Sequence, residues 1–76
     1  MRIETVRGRK LVCGHIYPKE ELKVGQRWAQ ADGADRVVVI RTIEDDDIFY
    51  GSHGEDRTYS KDWFNFQCRY CLIVED

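Results

Sequence analysis

The run from Arg36 to Ile43 (RVVVIRTI) constrains the fold most strongly, because β-branched side chains dominate it. Such side chains are stiff about χ1 and pack well on a pleated surface, so the run predicts a strand. Its four consecutive apolar residues, Val37 to Ile40, indicate a strand that is buried on both faces or strongly bent. No stretch is long enough for an amphipathic helix. We therefore expect a mainly β protein.

Short strand-like runs separated by turn residues fill the rest of the chain. An N-terminal hairpin is expected over residues 1–17, with strands at Arg2–Val6 and Lys10–Ile16 around an Arg7-Gly8-Arg9 link. Further strands are predicted at Gln26–Gln30, Asp47–Gly51, Arg57–Tyr59 and Phe66–Val74, with turns at Ala31–Asp35 and Glu44–Asp46 and a single helical turn at Ser60–Phe64, capped by Ser60.

The length and the cysteine count bound the class of protein. A chain of 76 residues suits one domain, residues 1–76, with one small core. No apolar run approaches the roughly 20 residues of a membrane span, so no membrane contact is expected. The N-terminus carries no apolar segment of a secretory signal. With three cysteines, an odd number, we expect a cytoplasmic protein with free thiols rather than a disulfide scaffold.

A small sheet must hide its edges, and curling into a barrel does so. The residues that favour this arrangement are Val24-Gly25-Gln26-Arg27-Trp28, Val38, Ile40, Ile43, Ile48, Tyr50 and the turn at Ser60. Their pattern resembles the SH3-like small barrel, including its Tudor-type members. The resemblance covers residues 24–74 and implies about five short antiparallel strands, with the helical turn before the last strand and the hairpin of residues 1–17 outside the barrel. A barrel joined to a charge-rich hairpin also resembles, in style, the small accessory proteins of bacteriophages.

The sequence carries one set of residues with metal-ligating chemistry. Cys13, His15, Cys68 and Cys71 offer enough ligands for a tetrahedral zinc site. Positions 68 and 71 point to opposite faces of a plain strand, however, so zinc stays an alternative that a bulge near Tyr70 would favour. Neither histidine has a nucleophile and an orienting group beside it, and no glycine-rich phosphate loop occurs. We therefore expect no enzyme activity, no metal and no cofactor.

Charge and aromatic content suggest a binding function instead. Exposed large aromatics are typical of interfaces, and in Phe49-Tyr50 and Trp63-Phe64 one ring of each pair should point outward. Beside these rings runs a continuous acidic tip. We predict a non-enzymatic protein-interaction module that contacts a basic or mixed surface of a partner protein through Trp28, Glu44, Asp45, Asp46, Asp47, Phe49 and Trp63. The phage-like style implies a host protein that the module inhibits or redirects.

The alternative function is nucleic-acid binding. Small barrels hold single strands by stacking bases on aromatics along a basic groove. Here Trp28 or Phe49 would be the platform, and phosphate contacts would come from Arg2, Arg7, Arg9, Lys10, Arg27, Arg36 and Arg41. The formal net charge of −2 argues against it, because phosphate contacts dominate such affinity.

Overall fold

The strands form one antiparallel sheet. The structure is a computed structural model that describes residues 1–30 and 36–74, and within those ranges seven strands follow the order β1-β2-β7-β3-β4-β5-β6. The strands are β1 (Arg2–Val6), β2 (Arg9–Cys13), β3 (Arg27–Gln30), β4 (Val37–Glu44), β5 (Asp47–Ser52), β6 (Tyr59–Asp62) and β7 (Tyr70–Val74), with a 3₁₀ turn at Lys19–Glu21 and a helix, α1 (Trp63–Arg69). The mainly β prediction is confirmed. The turn predicted at Ala31–Asp35 lies outside the described residues.

The sheet does not close into a barrel, so the five-stranded SH3-like barrel is not confirmed. In the described ranges β1 and β6 are the two edge strands, and no ladder joins them. The reason lies in β7, which pairs with β3 on one side and with β2 on the other. The N-terminal hairpin thus occupies the edge of β7 that closure onto β6 would need, and it extends the sheet instead of standing apart from it.

The N-terminal hairpin turns over two residues rather than the three predicted. Val6 pairs with Arg9, and the two residues between them have positive φ, 52° at Arg7 and 78° at Gly8. Positive φ at both positions is typical of a type I′ turn, and glycine adopts this left-handed backbone at no steric cost. The turn fixes the register of β1 on β2.

Two cores lie on opposite faces of the sheet. The main core holds Leu22, Trp28, Val38, Ile40, Ile48, Tyr50, Phe66 and Tyr70, and the second core holds Leu11, Cys13, Ala29, Cys71 and Ile73. Val38 and Ile40 belong to the main core, whereas Val37 packs against the second. Because neighbouring residues of a strand point to opposite faces, β4 is apolar on both sides. This explains its unbroken apolar run, as the sequence predicted.

The first half of the predicted last strand is a helix. Residues 63–69 form α1, and β7 begins only at Tyr70. The helix is capped by Asp62 rather than Ser60, since the Asp62 side chain accepts a hydrogen bond from the backbone N–H of Asn65 at 3.0 Å. Helical spacing turns Phe66 inward, where its ring centroid lies 5.2 Å from that of Trp28 and 4.9 Å from that of Tyr50. The helix therefore covers the main core.

The buried side chain of Gln67 on α1 forms hydrogen bonds to the chain segment that precedes the 3₁₀ turn. The Gln67 side chain is 7% exposed. Its Oε1 accepts from the backbone N–H of Tyr17 at 2.7 Å, and its Nε2 donates to the carbonyl oxygens of Tyr17 at 3.0 Å and Trp63 at 3.1 Å. The amide thus satisfies both backbone groups of Tyr17 as a neighbouring strand would.

We expect Gln67→Met, which keeps the length of the side chain, to lower the free energy of unfolding by about 2 kcal/mol, because it leaves the Tyr17 N–H and C=O without their partner. Urea unfolding followed by tryptophan fluorescence measures this change. Cys68→Ser, at the exposed neighbouring position of α1, is the matched control and should shift stability by less than about 0.5 kcal/mol. Equal unfolding midpoints for Gln67→Met and the wild type would contradict the role given to this amide.

The prediction of free thiols is wrong for two of the three cysteines. Cys13 and Cys71 form a disulfide with their Cα atoms 4.9 Å apart, and Cys68 is free and exposed on α1. The pairing follows from the ladder between β2 and β7, in which Val12 faces Leu72, so that the next residue of β2 faces the preceding residue of β7. The sequence around Cys68 is strand-like, whereas the structure places this residue on α1.

The disulfide predicts one reactive thiol per chain in denaturant without reductant, and three after reduction. Thiol titration counts them, and Cys68→Ser should lower each count by one. Reduction should also lower the free energy of unfolding by about 4 kcal/mol, because the bond closes a loop of 58 residues. Three reactive thiols in denatured protein that has never been reduced would contradict the pairing.

Candidate interaction surface

The acidic tip lies at the hairpin that joins β4 to β5. Glu44 and Asp47 form the last pair of this ladder, and Asp45 and Asp46 make the turn. All four residues are exposed. Asp45 has φ of 51°, a left-handed conformation that aspartate and asparagine tolerate better than most side chains. The local backbone therefore suits these acids, and it leaves their charges in solvent.

The start of α1 lies directly beside the acidic tip. The backbone N–H of Trp63 donates to the carbonyl oxygen of Asp46 at 2.8 Å, and Asp47 pairs with Asp62 in the ladder between β5 and β6. Trp63 packs partly against the main core, whereas Phe64 is 49% exposed, with the two ring centroids 6.0 Å apart. We call this surface the acidic-aromatic end; it consists of Glu44, Asp45, Asp46, Asp47, Asp62, Trp63 and Phe64.

Hydrogen bonding keeps Asp62 charged at the start of the helix. The pKa of Asp62 is lowered from its ordinary value of 3.8, mainly by the hydrogen bond from the backbone N–H of Asn65 and also by the Asn65 side chain, whose Nδ2 lies 2.8 Å from Oδ1. One cation offsets part of the negative charge, since Lys19 Nζ lies 3.1 Å from Asp46 Oδ1. The surface stays predominantly acidic.

We expect Asp62→Ala to lower the melting temperature by a few degrees at neutral pH, because α1 loses its cap. A carboxyl group whose pKa is lowered in the folded state stabilises the fold at pH values above its ordinary pKa of 3.8. This stabilisation is lost as the pH falls through the folded-state pKa. The difference between wild type and variant should therefore shrink in acid. Thermal unfolding across pH tests this, with Asp56→Ala in the exposed β5–β6 loop as control. A difference that persists unchanged in strong acid would show that the carboxylate charge is not involved.

The structure brings together five of the seven residues predicted to bind a partner. Glu44, Asp45, Asp46, Asp47 and Trp63 all belong to the acidic-aromatic end. Trp28 does not reach the surface: it is 1% exposed at the centre of the main core. Phe49 is half-buried and points away from the main core, since its neighbours in β5 both point into it. It lines a groove of about 360 Å³ with Arg41, Thr42, Thr58 and Glu44, which this groove shares with the acidic-aromatic end.

The sequence prediction missed Phe64 and Asp62. Both lie in the helical turn predicted at Ser60–Phe64, but the cap was placed at Ser60 and Trp63 was chosen as the exposed ring of its pair. The useful signal was the pair Asp62 and Asn65, an N-cap residue and an N3 residue that can bond back to it. Helical spacing from Asp62 would have buried Phe66 and exposed Phe64.

A second charged region lies toward the other end of the strands. Arg9, Arg36, Val37, Ser52, His53 and Glu55 line an open groove of about 570 Å³. The Nε of Arg36 donates to Ser52 Oγ at 3.2 Å, and its guanidinium lies 5.4 Å from the ring centroid of Tyr59. Hydrogen bonds from Arg57 and from Arg36 lower the pKa of the Tyr59 phenol. We call this region the basic groove.

Arg41, named above as a phosphate contact, instead holds the loop between β5 and β6. The register of β4 on β5 shifts between Ile40 and Thr42, so Arg41 occupies a bulge. Its guanidinium donates to the backbone oxygens of Ser52 (3.0 Å), Glu55 and Arg57 (3.2 Å) and to Thr58 Oγ1 (2.9 Å). A Cβ at Gly51 would lie 2.7 Å from the guanidinium carbon, so glycine leaves the space for it. The donors of Arg41 thus serve the loop rather than an outside phosphate.

Comparisons with protein-family models, with curated proteins and with solved structures find no match to this chain. Among residues 1–30 and 36–74, no cluster of three or more His, Cys, Asp or Glu side chains is placed to hold a metal ion. In the same part of the chain no helix has the length and apolar character to cross a membrane. The acidic-aromatic end and the basic groove are therefore weighed on their own geometry.

Proposed function

We propose that the protein is a non-enzymatic interaction module whose acidic-aromatic end binds a partner protein with a basic surface. The hydrogen bond between the Trp63 N–H and the Asp46 carbonyl carries this proposal, because it holds two aromatic rings beside the acidic tip. Exposed rings supply the apolar contact area of an interface, and carboxylates around them attract a cationic partner. Neither feature alone would distinguish an interface from an ordinary solvated surface.

The chemistry of the surface suits lysine and arginine side chains in particular. Phe64 offers an exposed ring face over which a cation gains electrostatic energy. Asp45, Asp46 and Asp47 lie on neighbouring positions of one turn, so their charges add in the field that a partner meets at a distance. Rim charges of this kind mainly raise the association rate and impose a dependence on salt.

The fold itself supports a finer assignment, in which residues 24–74 are an open SH3-like unit. Five strands, β3 to β7, lie side by side in the order β7-β3-β4-β5-β6, and α1 precedes the last of them. The N-terminal hairpin is an addition at the β7 edge. On this assignment, and with the phage-like style, the partner is a host protein that the module inhibits or redirects.

Nucleic-acid binding is the second candidate, and the basic groove favours it. Arg9 lines both this groove and a neighbouring one of about 320 Å³ that also includes Lys10 and Arg27. The two grooves adjoin at Arg9. The positions of the two residues expected to stack on bases argue against nucleic-acid binding: Trp28 is buried, and Phe49 lies in a different groove from Arg9. The basic groove therefore supplies phosphate contacts without a ring for the bases.

Charge-matched variants decide between the two candidates. Asp45→Asn with Asp47→Asn removes two charges at the acidic-aromatic end, and asparagine tolerates the positive φ at position 45. Phe64→Ser removes the exposed ring. Glu55→Gln with Asp56→Asn is the control, since it removes the same charge at the opposite end of β5. Arg9→Gln with Arg36→Gln weakens the basic groove.

Each variant is used as immobilised bait in nuclease-treated and untreated bacterial lysate, and the affinity for the purified retained species is then measured. We expect one protein retained in both lysates, with affinity at least tenfold weaker, about 1.4 kcal/mol, for either acidic-aromatic variant and unchanged for the Glu55/Asp56 control. Retention that requires nucleic acid and is lost only with the Arg9/Arg36 variant would overturn this proposal and establish the second candidate.

A further inference from the structure

The outer edge of β1 is open. Within the described ranges no strand pairs with the side of β1 that faces away from β2. Ile3 is 63% exposed and Met1 is 82% exposed, although both are large apolar side chains. Edge strands of natural proteins are commonly blunted by short length, proline, bulges or charged side chains. Arg2 and Glu4 lie opposite Cys13 and Leu11, on the face of the second core, but their charges have opposite signs and can pair with a second copy. β1 has an unbroken register with β2 from Arg2 to Val6 and contains no proline.

The hairpin turn determines which backbone groups face that edge. In a two-residue hairpin the residues flanking the turn exchange both backbone hydrogen bonds, so Val6 and Arg9 are such a pair. Hydrogen-bonded pairs alternate with non-hydrogen-bonded ones, so Glu4 and Arg2 also direct their N–H and C=O groups to β2. Ile3 and Thr5 consequently present theirs outward.

Charge then selects one register for pairing with a second copy. Antiparallel pairing of the two β1 strands about a two-fold axis at Glu4 would place the Glu4 residues of the two copies opposite each other, and like charges repel. A two-fold centred on Thr5 would leave both charged residues of β1 without a charged residue opposite. A two-fold centred on Ile3 places Arg2 opposite Glu4 twice, Ile3 opposite Ile3, and Thr5 opposite Met1. Arg2 and Glu4 lie on one face of β1, with Arg2 Nε 3.5 Å from Glu4 Oε1, so both reach the copy on the same side.

We propose that the chain forms a homodimer by antiparallel pairing of β1 with β1 of a second copy, centred on Ile3. The interface is isologous, as a two-fold requires, because each Arg2 meets the Glu4 of the other copy and each Glu4 meets the other Arg2. The Ile3 pair exchanges two backbone hydrogen bonds and buries an exposed β-branched side chain against its equivalent. The antiparallel arrangement sends the two arginine-rich turns at residues 7–9 to opposite ends of the new ladder.

The dimer is independent of the proposed function. β1 and β6 are opposite edges of the sheet, and the acidic-aromatic end includes the last residue of β6 and the start of α1. Pairing at β1 therefore leaves both acidic-aromatic ends exposed. An interface of one strand is small, so we expect a dissociation constant in the micromolar range.

Charge reversal tests the register directly. Sedimentation equilibrium should show a concentration-dependent dimer for the wild type. Arg2→Glu or Glu4→Arg alone brings like charges together in both cross-strand pairs and should weaken the dimer at least tenfold. The double variant Arg2→Glu with Glu4→Arg restores opposite charges across the two-fold and should regain wild-type affinity. Thermal unfolding of each variant checks that the hairpin is intact. A wild type that stays monomeric, or single variants that dimerise as well as the wild type, would overturn the proposal.

Cross-linking tests the two-fold without changing charge. Hydrogen-bonded pairs have Cα atoms about 5.5 Å apart, within the range of a disulfide. Ile3→Cys in a Cys68→Ser background should therefore form a covalent dimer on mild oxidation. Thr5→Cys in the same background is the control, since it lies opposite Met1 and should remain monomeric. Cross-linking of Thr5→Cys but not of Ile3→Cys would also overturn the Ile3-centred pairing.

Discussion

The burial of Trp28 between the sheet and α1 is the interaction on which the rest of the structure depends. Trp28 lies on β3, between β7 and β4, and pairs with Leu72 and Val38 in the two ladders. Its ring meets Phe66 from the helix and Tyr17 from the segment before the 3₁₀ turn. Within the described residues its indole N–H has no acceptor, so its large apolar area outweighs the cost of that unpaired group.

The position of the acidic-aromatic end follows from this packing. Phe66 contacts Trp28 from α1, the helix that directly follows β6, and Asp62 caps that helix. Gln67, one residue after Phe66, then hydrogen-bonds to the backbone of Tyr17 and so holds the segment before the 3₁₀ turn against α1. The first turn of α1 is left at the β4–β5 hairpin, with Phe64 outside. The same helix thus buries one phenylalanine for stability and exposes another beside the acids.

The sequence was informative where one residue pattern implied one structure. Alternation and β-branching predicted β1, β4 and β5, and the acids Glu44 to Asp46 marked a turn, because these signals depend only on neighbours in the chain. Phe66 to Arg69 read as a strand because apolar and polar residues alternate there, yet in the structure these residues are helical and Phe66 packs on Trp28. Trp28 was expected at the surface because a count of aromatics does not say which of them a core needs. The disulfide depended on β2 lying beside β7, a pairing of residues 58 positions apart.

The N-terminal hairpin explains both the open sheet and its charge distribution. By pairing with β7 it removes the edge at which the five strands β3 to β7 would close, and it supplies Leu11 and Cys13 to a second core that those strands alone would leave incomplete. The hairpin also makes β1 the sheet edge opposite β6, away from the acidic-aromatic end. The charges of Arg2 and Glu4 on β1 complement those of a second copy. A dimer joined at that edge would carry two acidic-aromatic ends, and binding of the first to a repeated basic partner would raise the effective concentration of the second. The addition of one hairpin would thus turn a protein with one binding surface into a dimer with two, while each acidic-aromatic end stays unchanged.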